Sequence, residues 1–230
     1  MNTLTERLKQ IRAQITKAES RYQRPAGAVK LLAVSKTRPI ADIEEVFAAG
    51  QTDLGESYLQ DALPKIAALT DKTICWHFIG PIQSNKTRAI AEHFHWAHSV
   101  DRLKIAQRLS EQRPEHLPPL NICLQVNVSH DPAKAGIKTA EALSLASAIH
   151  TLPGIKLRGL MTLPAQATDF EQQRLPFHAL RTLFDNIQQQ GIELDTLSMG
   201  MSGDMEAAIA EGATMVRIGT AIFGPRLPKK

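Results

Sequence analysis

The sequence predicts an α/β protein of a single domain, a closed (β/α)8 barrel of the TIM type, and three observations predict it. Eight short apolar runs alternate along the chain with about eight amphipathic stretches, the pattern of parallel strands joined by helical crossovers. The 230 residues are about the length at which eight such units close on themselves. No Gly-x-Gly-x-x-Gly follows the first strand, where an open dinucleotide-binding sheet would carry its phosphate fingerprint.

Leu4, Leu8, Ile11 and Ile15 recur at helical spacing, and Thr3 with Glu6 forms a capping box, so residues 1–20 open the chain as an amphipathic helix. VKLLAVSKT (29–37) is the first strand, nearly continuous in apolar residues as a strand buried on both faces must be. IADIEEVFAAG (40–50) reads as a helix ending on Gly50, TDLG (52–55) as the second strand, and SYLQDALPKIAAL as a helix interrupted by Pro64. TICWHFIG (73–80) is the third strand; Ser84 caps SNKTRAIAEHF, HWAHSV is the fourth strand, and Asp101 caps RLKIAQRL. LNICLQVNV (120–128), a helix through EALSLASAI, and IKLRGLMTL (155–163) follow. A long helix ends near Gly191, and it either kinks or begins at Pro176. DTLSMGMS (195–202) and ATMVRIGTAIFG (213–224) complete the strands, around a short helix that turns Met205, Ala208 and Ile209 inward.

Hydrophobic residues make up 43% of the chain and charged ones 22%, enough apolar material for one sizeable core and too much for a disordered chain. No stretch reaches the roughly 20 apolar residues of a membrane-spanning helix, and MNTLTERLKQIRAQI lacks the basic tip and apolar run of a secretory leader. A cytoplasmic protein that begins at Met1 and has no membrane partner is expected. Cys75 and Cys123 sit singly in apolar strands and read as reduced core thiols. The net charge of +4 comes from 27 basic residues interspersed with 23 acidic ones, a solvating surface that gives no reason to expect a nucleic-acid partner.

Function in such a barrel gathers where the strands end at their carboxyl side. Lys36 closes the first strand. A lysine there either snorkels to solvent or is desolvated toward the neutral amine that attacks an aldehyde. Ser202 follows the seventh strand, and Gly219 with Thr220 follows the eighth. Those two loops are the usual phosphate site of the fold, unless Ser202 merely caps a helix and Gly219 merely turns the chain. Arg217 lies two residues before Gly219, so it points into the barrel. It either meets the nitrogen of a bound ring or forms an ion pair with Asp204 or Glu206. His77 and Asn85 lie at or just past the third strand and either line the pocket or are structural. His93, His95 and His98 offer no recognised metal spacing, so no metal is expected.

LLAVSKT, WHFIGPIQSNK, LRGLMTLP and LSMGMSGDMEAAIAEGATMVRIGTAIFG, with the spacing between them, resemble the pyridoxal phosphate homeostasis protein family over about residues 29–224. The resemblance implies the barrel of the alanine racemase N-terminal domain, with pyridoxal 5′-phosphate (PLP) held as a Schiff base on Lys36. It further implies Arg217 at the pyridine nitrogen, Ser202, Gly219 and Thr220 at the phosphate, and Met161 and Met201 beside the cofactor. Where the family usually carries Asn, this chain has Ser57, a shorter side chain, and the loop 129–136 departs from the common pattern.

By the same resemblance the protein buffers PLP or delivers it to apo-enzymes, with no confirmed catalytic turnover. The related racemases use a second acid–base tyrosine from an added β-domain. Only Tyr22 and Tyr58 occur here, and Tyr22 precedes the first strand. An arginine at the pyridine nitrogen also weakens the ring as an electron sink. A monomeric carrier is therefore expected, the alternative being a weak PLP-dependent racemase or lyase.

Overall fold

A computed structural model describes residues 3–129, 131 and 134–225; the middle of the loop 129–136 lies partly outside the described residues. The first helix, α1 (Leu4–Arg21), starts as its sequence dictates: Thr3 accepts from the Glu6 amide and the Glu6 side chain accepts from the Thr3 amide. Its buried stripe of Leu4, Leu8, Ile11, Ile15 and Ala18 packs against the barrel's outer layer. Glu19, buried at its end, accepts from the Val29 amide at 2.8 Å and the Gly27 amide at 3.2 Å. A carboxylate thus satisfies the amides that lead into the first strand.

The barrel strands are β1 (Lys30–Val34), β2 (Asp53–Glu56), β3 (Cys75–Phe78), β4 (Trp96–Val100), β5 (Leu120–Gln125), β6 (Ile155–Met161), β7 (Thr196–Ser198) and β8 (Met215–Ile218). Each pairs in parallel with the next, and β8 pairs with β1, aligning Leu32 with Arg217 and Ala33 with Ile218. Between them run α2 (Ile40–Ala48), α3 (Leu59–Ala68), α4 (Thr87–His93), α5 (Leu103–Glu111), α6 (Ala142–Ile149), α7 (Phe170–Gln189) and α8 (Met205–Ala210). A one-turn helix, α9 (Thr220–Phe223), follows the last strand. Among the described residues no helix is long and apolar enough to cross a membrane.

Local chemistry corrects three expectations. Ser84 does not cap α4, which begins at Thr87; its carbonyl accepts instead from Thr87 Oγ1 and Arg108 Nε, each at 3.0 Å. Asp101 does not cap α5: it pairs with the neighbouring Arg102 guanidinium at 2.6 Å, a stronger partner than an amide. Pro176 does not start α7, which begins at Phe170 under the Asp169 cap and runs through the proline. Likewise α3 continues past Pro64. Burial of both helices against the barrel outweighs the one N–H bond each proline removes.

Candidate functional site

At the carboxyl ends of the strands lies a cavity of about 930 Å³, and its wall includes Val34, Lys36, Ser57, Met161, Met201, Ser202, Asp204, Arg217, Gly219 and Thr220. Eight of the ten residues named from sequence therefore share one wall. His77 and Asn85 do not: Asn85 is exposed in the turn before α4, and His77 is fully buried beneath the cavity. The structural alternative holds for His77.

Lys36 is half-buried on the turn that leaves β1, where the Arg38 amide donates to the Ser35 carbonyl. The turn requires Thr37 at φ +65°, a left-handed conformation costly for a β-branched residue. Two devices hold it. Behind the strand, Lys65 donates to the Ser35 carbonyl at 3.0 Å and to Glu56 Oε1 at 2.8 Å, and the Ser35 hydroxyl donates to the same oxygen at 2.6 Å. Ahead of it, Arg38 donates to the Pro225 carbonyl at 2.7 Å and lies over the Phe223 ring, tying the turn to the end of α9. Burial raises the Glu56 carboxyl above its ordinary range despite the Lys65 ammonium.

Across the cavity, the amides of Ser202, Gly203, Thr220 and Ala221 donate to no backbone acceptor among the described residues. Gly219 packs so closely on β1 that an added Cβ would meet Val34 Cβ and O at 3.3 Å. Gly200, at φ +93°, brings the preceding loop equally close to α8, where a Cβ would lie 2.6 Å from Ala208 Cβ. Two tight glycine turns thus leave the amides of Ser202, Gly203 and Thr220 and the hydroxyls of Ser202 and Thr220 along one edge of the cavity, a donor set suited to a phosphate dianion. Ser202 does not cap α8; Asp204 stands at that position, and its Oδ1 accepts from the Met201 amide at 2.5 Å.

Arg217 is 4% exposed, and of its five N–H groups three donate to Ser198 O, Ser198 Oγ and Thr162 O. The same residue borders the cavity. Burial pushes its pKa down to about 10, with Asp204 opposing the shift, so it remains a cation at neutral pH. The alternative of an ion pair fails: among the described residues Arg217 has no carboxylate within ion-pair reach, and Glu206 is engaged by Arg21 at 2.7 Å and by the Tyr22 hydroxyl at 3.1 Å. Neither Tyr22 nor the exposed Tyr58 lines the cavity.

Sequence reasoning missed Asp204 as a wall residue, although it sits within SMGMSGD, missed Ser198, and weighed His98 only as a metal ligand. Both lie on inward-facing positions of their strands, a signal that alternation carries without saying what each residue meets. One group among the described residues has metal-ligand chemistry, Asp53 with Cys75 and His77. The Lys30 ammonium lies 3.2 Å from Asp53, both His77 nitrogens are hydrogen-bonded, and burial pushes the Cys75 thiol up to about 12. Those donors are committed to one another.

The family model for the alanine racemase N-terminal domain matches residues 7–227. The pyridoxal phosphate homeostasis protein of Pseudomonas aeruginosa is 56% identical over 226 residues, covering 98% of this chain and 97% of that one. Its Escherichia coli K12 counterpart is 48% identical over 229 residues, covering 98% of each. Among solved structures, PipY of Synechococcus elongatus with PLP bound superposes with a TM-score of 0.86 at 38% identity, covering 96% of this chain and all of that one. Alanine racemase of Clostridium difficile, at 14% identity and a TM-score of 0.73 over 59% of its length, shares the fold.

Proposed function

This chain belongs to the pyridoxal phosphate homeostasis family, built on the alanine racemase N-terminal domain, and from that premise we propose that it binds PLP and buffers or delivers it, with Lys36 as the covalent anchor. The observation that carries the proposal is the convergence on one cavity of Lys36, the Arg217 cation and the donor-rich loops 201–204 and 219–220. These residues fit the cofactor: an amine for the aldehyde, a cation for the ring nitrogen, and unpaired amides for the phosphate.

PLP supplies an aldehyde open to reversible capture and a ring that draws electrons from an attached amine. Lys36, on the turn held by the Ser35–Glu56–Lys65 contacts behind it, would hold the aldehyde from the β1 side through its amine. Ser202 and Thr220, with the amides around them, grip the phosphate. Arg217, a cation bordering the cavity, would donate to the pyridine nitrogen and disfavour its protonation, which would weaken the electron sink. Met161 and Met201 pack beside the ring, and Ser57 leaves the opposite wall shorter than an asparagine would. Among the described residues no tyrosine stands in the wall, and the carboxylate there, Asp204, is engaged by the Met201 amide, so the site favours holding and releasing the cofactor over carbanion chemistry. The chain acts as a monomeric cytoplasmic carrier whose recipients are PLP-dependent apo-enzymes.

Absorbance spectroscopy tests this reading. The purified chain with PLP is expected to show a visible band that Lys36→Ala abolishes, and to reactivate an apo-enzyme stoichiometrically. A colourless wild-type protein, or amino-acid racemisation that depends on Lys36, would overturn the carrier assignment.

A further inference from the structure

Beneath the cavity a continuous hydrogen-bonded chain of side chains crosses the barrel interior from β2 to β8. His77 Nε2 lies 3.0 Å from Asp53 Oδ1, His77 Nδ1 lies 2.9 Å from His98 Nε2, and His98 Nδ1 lies 2.9 Å from Ser198 Oγ. Arg217 Nη1 then reaches Ser198 Oγ at 2.8 Å. His77, His98 and Ser198 are completely buried, and His77 is stacked on the Trp96 ring at 5.4 Å and 9°. Asp53 lies at the first position of β2 and lines a separate cavity of about 350 Å³ at the amino-terminal mouth, beside Lys30.

The direction of every bond follows from the charge at one end. A carboxylate only accepts, so His77 donates from Nε2 and its Nδ1 is left as an acceptor. His98 must then donate from Nε2, which leaves its own Nδ1 unprotonated. The Ser198 hydroxyl donates to that nitrogen, and its lone pairs face the Arg217 guanidinium. Reversing any member would set two protons or two lone pairs against each other in a water-free interior.

We propose that Asp53, His77, His98 and Ser198 are positioning residues, a directional relay that locks the Ser198 hydroxyl as an acceptor and so fixes the Arg217 guanidinium against the cofactor ring. The proposal rests on the PLP reading above only for its final contact. Asp53, at the far mouth of the barrel on β2, which only β1 separates from β8, thereby orients a group that touches the cofactor. The relay is a set of hydrogen bonds only; no net proton transfer is required.

The test is nuclear magnetic resonance of isotope-labelled histidine in the cofactor-free chain, paired with PLP titrations. His77 and His98 are both expected to be neutral with the proton on Nε2. Asp53→Ala should mix the tautomers of both, shift the absorbance maximum of bound PLP and weaken its binding roughly fivefold, about the loss of part of one hydrogen bond. Asp53→Asn, which keeps an acceptor oxygen, should restore all three readouts. Ser198→Ala, a small change far from Asp53, should weaken PLP binding to a similar degree while leaving His77 as the Nε2–H tautomer. A wild-type His98 protonated on Nδ1 would overturn the relay, and so would an Asp53→Ala or Ser198→Ala protein with unchanged affinity and absorbance. Because the resonance measurement needs no cofactor, correct tautomers in a chain that refuses PLP would overturn the cofactor assignment and not the relay's geometry.

Discussion

Two buried histidines make the chain's stability depend on pH in a predictable direction. Burial lowers the pKa of His77, and lowers that of His98 well below the ordinary imidazole value. The unfolded chain takes up a proton at each near pH about 6.5, whereas the folded chain resists until the pH is lower. The unfolded state therefore binds more protons in that window, and stability is fully present above it and lost as pH falls, by up to about 1.4 kcal/mol per pH unit for each histidine. Asp53 acts lower down: burial would raise its carboxyl, but the His77 and Lys30 contacts outweigh burial and hold it at about 2. Its contribution is present above the usual carboxylate range and disappears as pH falls from about 4 through 2. Urea unfolding midpoints measured at pH about 7.5 and about 5.5 should differ in favour of the higher pH; equal midpoints would contradict neutral buried imidazoles. At this scale the sequence was informative about position and silent about partnership. The third strand placed His77, but nothing in WHFIG says that Asp53 and His98 wait at bonding distance on the flanking strands, or that Ser198 from β7 completes the chain. Lys36, Arg217 and the two loops were legible because strand ends and glycine turns are local features.

Whole elements are joined to one another by buried cations as well as by apolar faces. Arg113, 8% exposed just after α5, donates to the carbonyls of Pro118 at 2.8 Å, Ala91 at 2.5 Å and Phe94 at 2.9 Å. It gathers the end of α4 and the approach to β5 around one guanidinium. Replacing it by Met keeps much of the volume and strands three acceptors, at about 1–3 kcal/mol for each that water cannot reach. Arg113→Met is expected to destabilise by about 3 kcal/mol in chemical denaturation, and a loss under about 0.5 kcal/mol would show the carbonyls to be solvated. Element identities were largely readable, since strand runs and helical spacing are period signals. Ends were not: Ser84 and Asp101 have the chemistry of caps, but competing partners took them, and α3 and α7 run through the prolines at 64 and 176.

Over the molecule as a whole, closure of the barrel leaves α1 outside the eight-unit repeat, yet it is bound into the structure. It packs against α2, α8 and α9, Arg24 just beyond it donates to the Ile209 carbonyl at 3.2 Å, and Glu19 anchors the entry to β1. Burying Leu4, Leu8, Ile11, Ile15 and Ala18 contributes on the order of 10 kcal/mol, comparable with the whole stability of a domain. A chain lacking residues 1–21 is therefore expected not to fold, as read by circular dichroism; a cooperative melt near that of the full chain would contradict this. Through α8 and α9 the same helix supports the loops that carry Ser202 and Thr220, so the outer layer and the candidate phosphate edge stand or fall together. The alternation of strands and helices made the closed barrel legible from sequence, but the place where α1 lands against it was not, because that contact joins elements nearly the full chain apart.

The central claim is a covalent bond to one amine, and borohydride reduction of the PLP-saturated chain followed by peptide mass mapping tests it directly. A single phosphopyridoxyl adduct on the peptide that carries Lys36 is the expected result. An unmodified Lys36, or an adduct confined to another lysine, would contradict the account.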